Sequence, residues 1–293
     1  MSFELETNEP VVDGFRRVAT EQIDKALASI DEAEPHEAVH DVRKRCKKVR
    51  GLCRLVRGSF AGYSEANEHF RDTARLLSDL RDATAMLETF DELVNRRGEA
   101  LDDDAVGTVR ELLRERRERL SDRDGLAERL GEARRRLVES RSHVGDWSLD
   151  DDGFDAIAKG LAKTYHRARE RAFEAGDARD DDELFHEWRK RVKYHRYHMD
   201  LLAPIWPEVL EAREDLCHRL TDSLGDDHDL VVLRACLNEQ RELTPLIAVV
   251  DGLGRRRSQK LRAASVHLGR WLYVDELEAF VSRIEAWWRA ARD

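Results

Sequence analysis

A short phrase occurs twice in this chain, and it limits what the chain can become. The first copy is His40-Asp41-Val42-Arg43-Lys44-Arg45-Cys46-Lys47-Lys48-Val49-Arg50, the second His186-Glu187-Trp188-Arg189-Lys190-Arg191-Val192-Lys193-Tyr194-His195-Arg196. On a helix, at about 100° per residue, Arg43, Lys44, Lys47 and Arg54 fall within about 60° of His40. Val42, Cys46, Val49, Cys53 and Val56 share the opposite side. The second copy divides the same way, with His186, Arg189, Lys190, Lys193 and Tyr197 against Trp188, Val192, Met199 and Leu202. One apolar stripe on a helix is ordinary. A polar face that is nearly all cation, headed by a histidine and made twice, is not. Like charges four residues apart cost roughly 0.2–0.5 kcal/mol per pair. Two copies in matching register therefore predict a polyanion set against them. The plainer reading, a solvated face balanced by acids on neighbouring helices, suits either copy taken alone.

The correspondence runs beyond the phrase. Phe60 matches Trp206 at the offset of 146 that relates His40 to His186. Ser78-Asp79-Leu80-Arg81-Asp82 matches Gly225-Asp226-Asp227-His228-Asp229 at 147, one residue having slipped in. A chain of 293 residues has room for one large domain or two of roughly 150. Glycine and proline are sparse (16 and 5), which favours long helices. The expected fold is all-α: two four-helix bundles related by an internal pseudo-twofold repeat, residues 11–146 and 150–293, with a lapse into Gly, Asp and Ser around Trp147 between them. Packed about such an axis, the two basic helices would face each other across a shared basic central cavity. In chain order, residues 1–10 read as a loose acidic leader. The third helix reads as continuous over 64–95, residues 125–140 as an arm beyond the fourth, and the element over 207–242 as bent near Gly225.

The net charge of −10 argues against a general nucleic-acid coat, yet charge sorted by face matters more than the total. Between His40 and Arg57 there are eight Lys or Arg and one Asp, so the acids lie elsewhere. Cys46, Cys53, Cys217 and Cys236 have neither CxxC nor zinc spacing and read as buried, reduced thiols. There is no secretory segment and no apolar run near 18 residues, so no membrane association is expected.

Phosphate is the anion best matched to these residues: Arg offers a bidentate fork and Lys a mobile point charge. His40 and His186 each begin a cationic face one turn before an Arg-Lys pair, whereas His195 and His198 fall on the apolar side and read as structural. Asp226-Asp227-His228-Asp229 imitates a metal site, but its counterpart in the first half has much weaker ligand character. An Asp that orients an arginine or ties a helix kink is the simpler account. Aromatic platforms amid the basic face are few, essentially Tyr197 and Tyr165, so single-stranded nucleic acid is not favoured. No Gly-rich phosphate loop, nucleophile elbow or HExxH occurs. The expectation is a non-enzymatic binding module without cofactor or metal. The alternatives are an RNA-binding or scaffold protein, a metal-assisted phosphohydrolase, or a histidine phosphotransfer bundle.

With His40-x-x-Arg43-Lys44 followed by Lys47 and Lys48, and His186-x-x-Arg189-Lys190-x-x-Lys193-x-x-Arg196-Tyr197, the chain resembles the CHAD domains, α-helical domains named for their histidines. Thr164-Tyr165-His166-Arg167-Ala168-Arg169 and the segment from Leu224 to Asp229 share the likeness, which covers about residues 11–290. What the resemblance implies is a basic central cavity that binds inorganic polyphosphate. The implied contacts are His40, Arg43, Lys44, Lys47, His186, Arg189, Lys190 and Lys193, with Tyr197, Arg167, Arg114, Arg256 and Lys260 around them; Arg54 joins the expected site from its place on the cationic face of the first phrase. The implied partners are polyphosphate or another phosphate-rich polyanion and polyphosphate-metabolising enzymes. The expected location is the cytoplasm, in association with polyphosphate granules.

Overall fold

The computed structural model describes residues 3–96, 103–120, 123–239 and 244–292. Among these residues there are α-helices, two short 3-10 turns and no strand, so the chain is all-α. The helices are α1 (Val11–Glu32), α2 (Pro35–Leu55), α3 (Tyr63–Arg75), α4 (Ser78–Asn95), α5 (Asp103–Leu120), α6 (Arg123–His143), α7 (Gly153–Asp177), α8 (Asp182–Leu202), α9 (Pro207–Asn238), α10 (Thr244–Leu272) and α11 (Leu277–Ala290). Their starts follow from local chemistry. Pro35 and Pro207 occupy first-turn positions of α2 and α9, where a missing N–H costs nothing. The Asp181 carboxylate accepts the Leu184 N–H at 2.9 Å and caps α8. Asp152, just before α7, accepts the N–H of Val11 at 3.2 Å, so one carboxylate joins the openings of α1 and α7.

Two apolar clusters hold the helices. The larger draws on Phe15 and Ile23 of α1, Val42, Val49 and Leu52 of α2, Phe70 of α3 and Leu137 of α6. From the second half it takes Tyr165 of α7, Trp188 and Val192 of α8, Leu220 of α9 and Phe280 of α11. The smaller joins Met86 and Phe90 of α4, Val109 and Leu113 of α5, Leu230 and Leu233 of α9, and Val250 and Leu253 of α10. Each cluster mixes residues from before and after Trp147, which itself stacks on Phe15 at 5.0 Å between ring centroids. The four cysteines are buried and free.

Three sequence expectations are corrected here. The leader is not loose: Phe3 and Leu5 are buried, the Leu5 N–H donates to the Leu201 carbonyl at 2.9 Å, and Arg17 binds Glu9 and the Glu4 carbonyl. Two apolar side chains among acids were enough to dock it. The expected third helix is divided at Leu76 and Leu77 into α3 and α4. Arg43 accounts for the break, because its guanidinium donates to the Ala74 carbonyl at 2.9 Å, an acceptor an unbroken helix would use internally, and is held there by a second bond to Ser78 Oγ. The matching stretch around Gly225 lies within the continuous helix α9, so the division at Leu76 and Leu77 has no counterpart in the second half. Finally, α6 is not an arm. It returns along α1 and α3, with Leu126, Leu130, Ala133 and Leu137 buried and Arg134 and Arg141 paired to Asp31 and Asp24 of α1. Among the described residues no helix is long and apolar enough to cross a membrane.

Candidate functional site

The two basic phrases lie on α2 and α8, and these helices cross in direct contact. Glycine at 51 permits the crossing: a Cβ there would meet Tyr197 Cδ2 at 2.8 Å and Tyr197 Cβ at 3.0 Å. The buried His198 ring donates from Nε2 to the Gly51 carbonyl at 3.1 Å. On one side of the crossing Lys48 pairs with Asp200 at 3.3 Å; on the other the Arg54 guanidinium lies 4.2 Å from the centre of the Tyr194 ring.

This arrangement gathers cations from both phrases. Burial, then the charges of Lys193, Arg43 and Arg189, push the Lys47 ammonium down to about 6. Burial, then Arg189, Arg196 and Arg43, push Lys193 down to about 8. Burial likewise lowers Arg43, whose surroundings include Arg189 and Asp82. Among the described residues, neither Lys47 nor Lys193 has a carboxylate within ion-pairing distance, and the buried Nε of both Arg43 and Arg189 lacks an acceptor. Buried cations ordinarily have a partner. Here the partners are few: Arg43 has the Ala74 carbonyl and Ser78 Oγ, and among the described residues Lys47 and Lys193 have no ion-pair partner.

The other expected contacts are distributed around this centre. His40 stands at the head of α2, open to solvent on one side; partial desolvation by the neighbouring protein, then Arg81 and Lys44, lower its pKa. Lys44 and Lys190 pair with Asp41 and Glu187 on their own helices. Arg54 donates to the Tyr63 hydroxyl. Arg167 is exposed on α7, close enough for its charge to act on Lys163 and Arg57. Tyr197 is buried against Gly51 and Phe3. Arg114 lies exposed on α5 and pairs with Glu111 at 2.7 Å. Arg256 and Lys260 belong to a groove of about 550 Å³ between α4 and α10, which they line with Leu93, Arg96 and Leu253. Arg43, Lys47, Arg189 and Lys193 are therefore brought together, while Arg114, Arg256 and Lys260 lie on the helices of the second apolar cluster.

The acidic phrase is split among separate tasks. Asp227 is buried against Arg262, which also binds Asp182 and the Arg179 carbonyl. Asp226 lies 3.9 Å from Arg257, and His228 meets His186. Asp229 has its pKa raised by burial despite the nearby Arg189 and Arg81, and Asp82 lies within electrostatic reach of it. Among the described residues no three His, Cys, Asp or Glu side chains are grouped to hold a metal ion. Sequence reasoning omitted Arg81, Asp82, His228 and Asp229 from the site. The available signal was that these four are repeat partners of one another.

The chain matches the CHAD domain family over residues 17–238, about three-quarters of its length. It belongs to that family. No curated protein matches it. The matched stretch starts within α1 and ends at the last residue of α9, so both basic helices of the CHAD domain and their crossing fall inside it.

Proposed function

We propose that this CHAD domain binds inorganic polyphosphate in a basic cleft between α2 and α8, as a binding module rather than an enzyme. The observation that carries the reading is the cluster of Arg43, Lys47, Arg189 and Lys193, drawn from two distant segments and, among the described residues, with no carboxylate within ion-pairing distance. Such a cluster is unfavourable when empty and is relieved by a ligand with many closely spaced negative charges. A phosphate polymer meets that need, and Arg43 and Arg189 supply forked donors for it. In this reading the cleft is the shared central cavity of two repeats, residues 11–146 and 150–293. The contacts at the crossing support the repeat: the Lys48–Asp200 pair and the Tyr194–Arg54 pair join equivalent positions with the two halves exchanged. The two tyrosines that offered stacking platforms, Tyr165 and Tyr197, are buried, which favours bare phosphate over nucleic acid.

The test is a binding isotherm of the full chain with polyphosphate of several lengths at two salt concentrations. Affinity should rise with chain length and fall steeply with salt, as when several phosphates are neutralised together. The double variant Lys47→Glu, Lys193→Glu should lose binding while unfolding cooperatively on heating. Unchanged binding in that variant defeats the proposal, as does equal competition by RNA at matched charge. Release of free phosphate on incubation with a divalent metal would replace the binding module with a hydrolase.

A further inference from the structure

His186 of α8 and His228 of α9 face each other with their Nδ1 atoms 3.0 Å apart, ring centroids 4.2 Å apart and ring planes tilted by 34°. A hydrogen bond between two such nitrogens uses one proton, so one ring donates and the other accepts. A neutral donor ring then carries no hydrogen on Nε2, and the acceptor ring carries its hydrogen there. The neutral pair thus offers one Nε2–H and one Nε2 lone pair. One added proton converts the pair to two Nε2–H donors with a single positive charge, and the Nδ1 bond survives. A second proton would place hydrogens on both Nδ1 atoms and break it. Neither Nε2 has a hydrogen-bond partner among the described residues, and neither is among the buried unpaired atoms.

The repeat gives this pair its meaning. His186 corresponds to His40, and His228 corresponds to Arg81, whose charge acts on His40. The first half thus sets a permanent cation beside its histidine, where the second half sets another imidazole. Arg189 and Lys190, from the ligand-facing side of α8, flank the pair.

We propose that His186 and His228 form a proton-gated clamp for phosphate oxygens, in which one proton from solvent turns the pair into two N–H donors when an anion arrives. The proposal rests on the polyphosphate reading and adds His228 to its contacts. In the empty protein, burial first and then Arg189, His186 and Lys190 hold His228 down to about 3, and burial with Lys190 and Arg189 lowers His186. Glu183 and Glu187 of α8 act in the opposite sense on His186. From α9, Asp229 follows His228 in the chain, with Arg189 and, from α4, Arg81 and Asp82 acting on it. A bound phosphate chain neutralises the cations that keep the pair uncharged, so binding and proton uptake go together.

Calorimetric titration of the full chain with tripolyphosphate and with long-chain polyphosphate, in buffers of different ionisation enthalpy, counts the protons taken up. Lys47 and Lys193 contribute equally to wild type and to His228→Arg, so the difference between them reports the pair. Wild type should take up about one more proton than His228→Arg, which carries its charge permanently as Arg81 does. At mildly alkaline pH the variant should bind about tenfold tighter than wild type, the worth of one charged hydrogen bond. The double variant His186→Gln, His228→Gln, which cannot gain a proton at either position, should lose the same extra proton and bind more weakly at acid pH. Equal proton counts in wild type and both variants overturn the clamp while leaving polyphosphate binding intact. Binding abolished by a chelator and restored by zinc also overturns it, by making the pair a metal ligand. Absence of binding by wild type to any phosphate chain sinks the polyphosphate reading and the clamp with it.

Discussion

Gly51 and Tyr197 hold the same place in the two copies of the basic phrase, 146 positions apart, and they touch each other where α2 crosses α8. Equivalent residues of the two sequence copies thus meet at the crossing, and the smallness of one of them sets how near the helices come. Replacing Gly51 by Ala puts a methyl group 2.8 Å from the Tyr197 ring and 3.0 Å from its Cβ, so the base of the side chain has to move and not only its tip. The expected loss is about 1–3 kcal/mol of stability, as for overpacking in a filled core. Because the crossing positions the four central cations, polyphosphate affinity should fall too. Thermal unfolding and a binding isotherm on the same sample check both; a variant as stable and as tight as wild type contradicts this account of the crossing.

Lys47 and Lys193 present a trade between stability and binding. Each ammonium is half-buried among other cations, and burial is the first cause of its lowered pKa. Methionine keeps most of the length of the side chain and removes the charge. The double variant Lys47→Met, Lys193→Met should be more stable than wild type and unfold at a higher temperature, by analogy with buried ion pairs, whose replacement by apolar groups contributes about 1–4 kcal/mol. It should also lose most polyphosphate affinity. Lower stability in this variant would mean that the lysines are already satisfied in the empty protein.

How much of this was legible beforehand depended on whether a residue's role was local. The doubled phrase, its helical register and the opposite apolar stripe are properties of single segments, and the structure keeps Val42, Cys46, Val49, Trp188 and Val192 buried as the spacing required. His195 and His198, read as structural, bond to the Tyr273 hydroxyl and the Gly51 carbonyl inside the core. The break at Leu76 and Leu77 was not legible, because its cause is Arg43, more than thirty residues earlier in the chain. The docking of Phe3 on Tyr197 and the His186–His228 pair also depend on tertiary packing alone. Arg43 itself shows the limit: position on a helical face marked it as a ligand contact, but not as the group that also ends α3.

The pH dependence of stability has a defined sign. Free lysine titrates at about 10.4, and the folded protein holds Lys47 at about 6 and Lys193 at about 8. Between these values the unfolded chain binds more protons than the folded one, so stability rises with pH. Buried His198, held down to about 3, adds the same sign on the acid side. The window closes near the ordinary thiol range, about 8.5. Above it the unfolded chain ionises cysteines that burial pushes up to about 12 in the fold. Calorimetric melting without anion should therefore give a higher Tm at about pH 8 than at about pH 6.5, and saturating polyphosphate should narrow the gap by favouring the charged lysines. A Tm that falls over this interval in the absence of anion would contradict the lysine assignment.

Asp227 carries the sharpest consequence for stability. Its side chain is 3% exposed, and it accepts the Nε hydrogen of Arg262, itself 6% exposed, at 2.9 Å. Arg262 then reaches from α10 to Asp182 at the start of α8 and to the Arg179 carbonyl, while its guanidinium lies 4.7 Å from the centre of the Phe185 ring. One arginine thus fixes α8, α9 and α10 to one another. Removing the carboxylate by Asp227→Ala leaves that cation buried with fewer partners, and the expected loss is about 3–5 kcal/mol. Arg262→Met together with Asp227→Leu removes both buried charges and should restore a large part of the loss, since the Asp182 carboxylate left behind is exposed to water. Urea denaturation of the two variants and the wild type measures the difference. An Asp227→Ala protein as stable as wild type, or a double variant no better than the single one, would show that Arg262 finds compensation elsewhere.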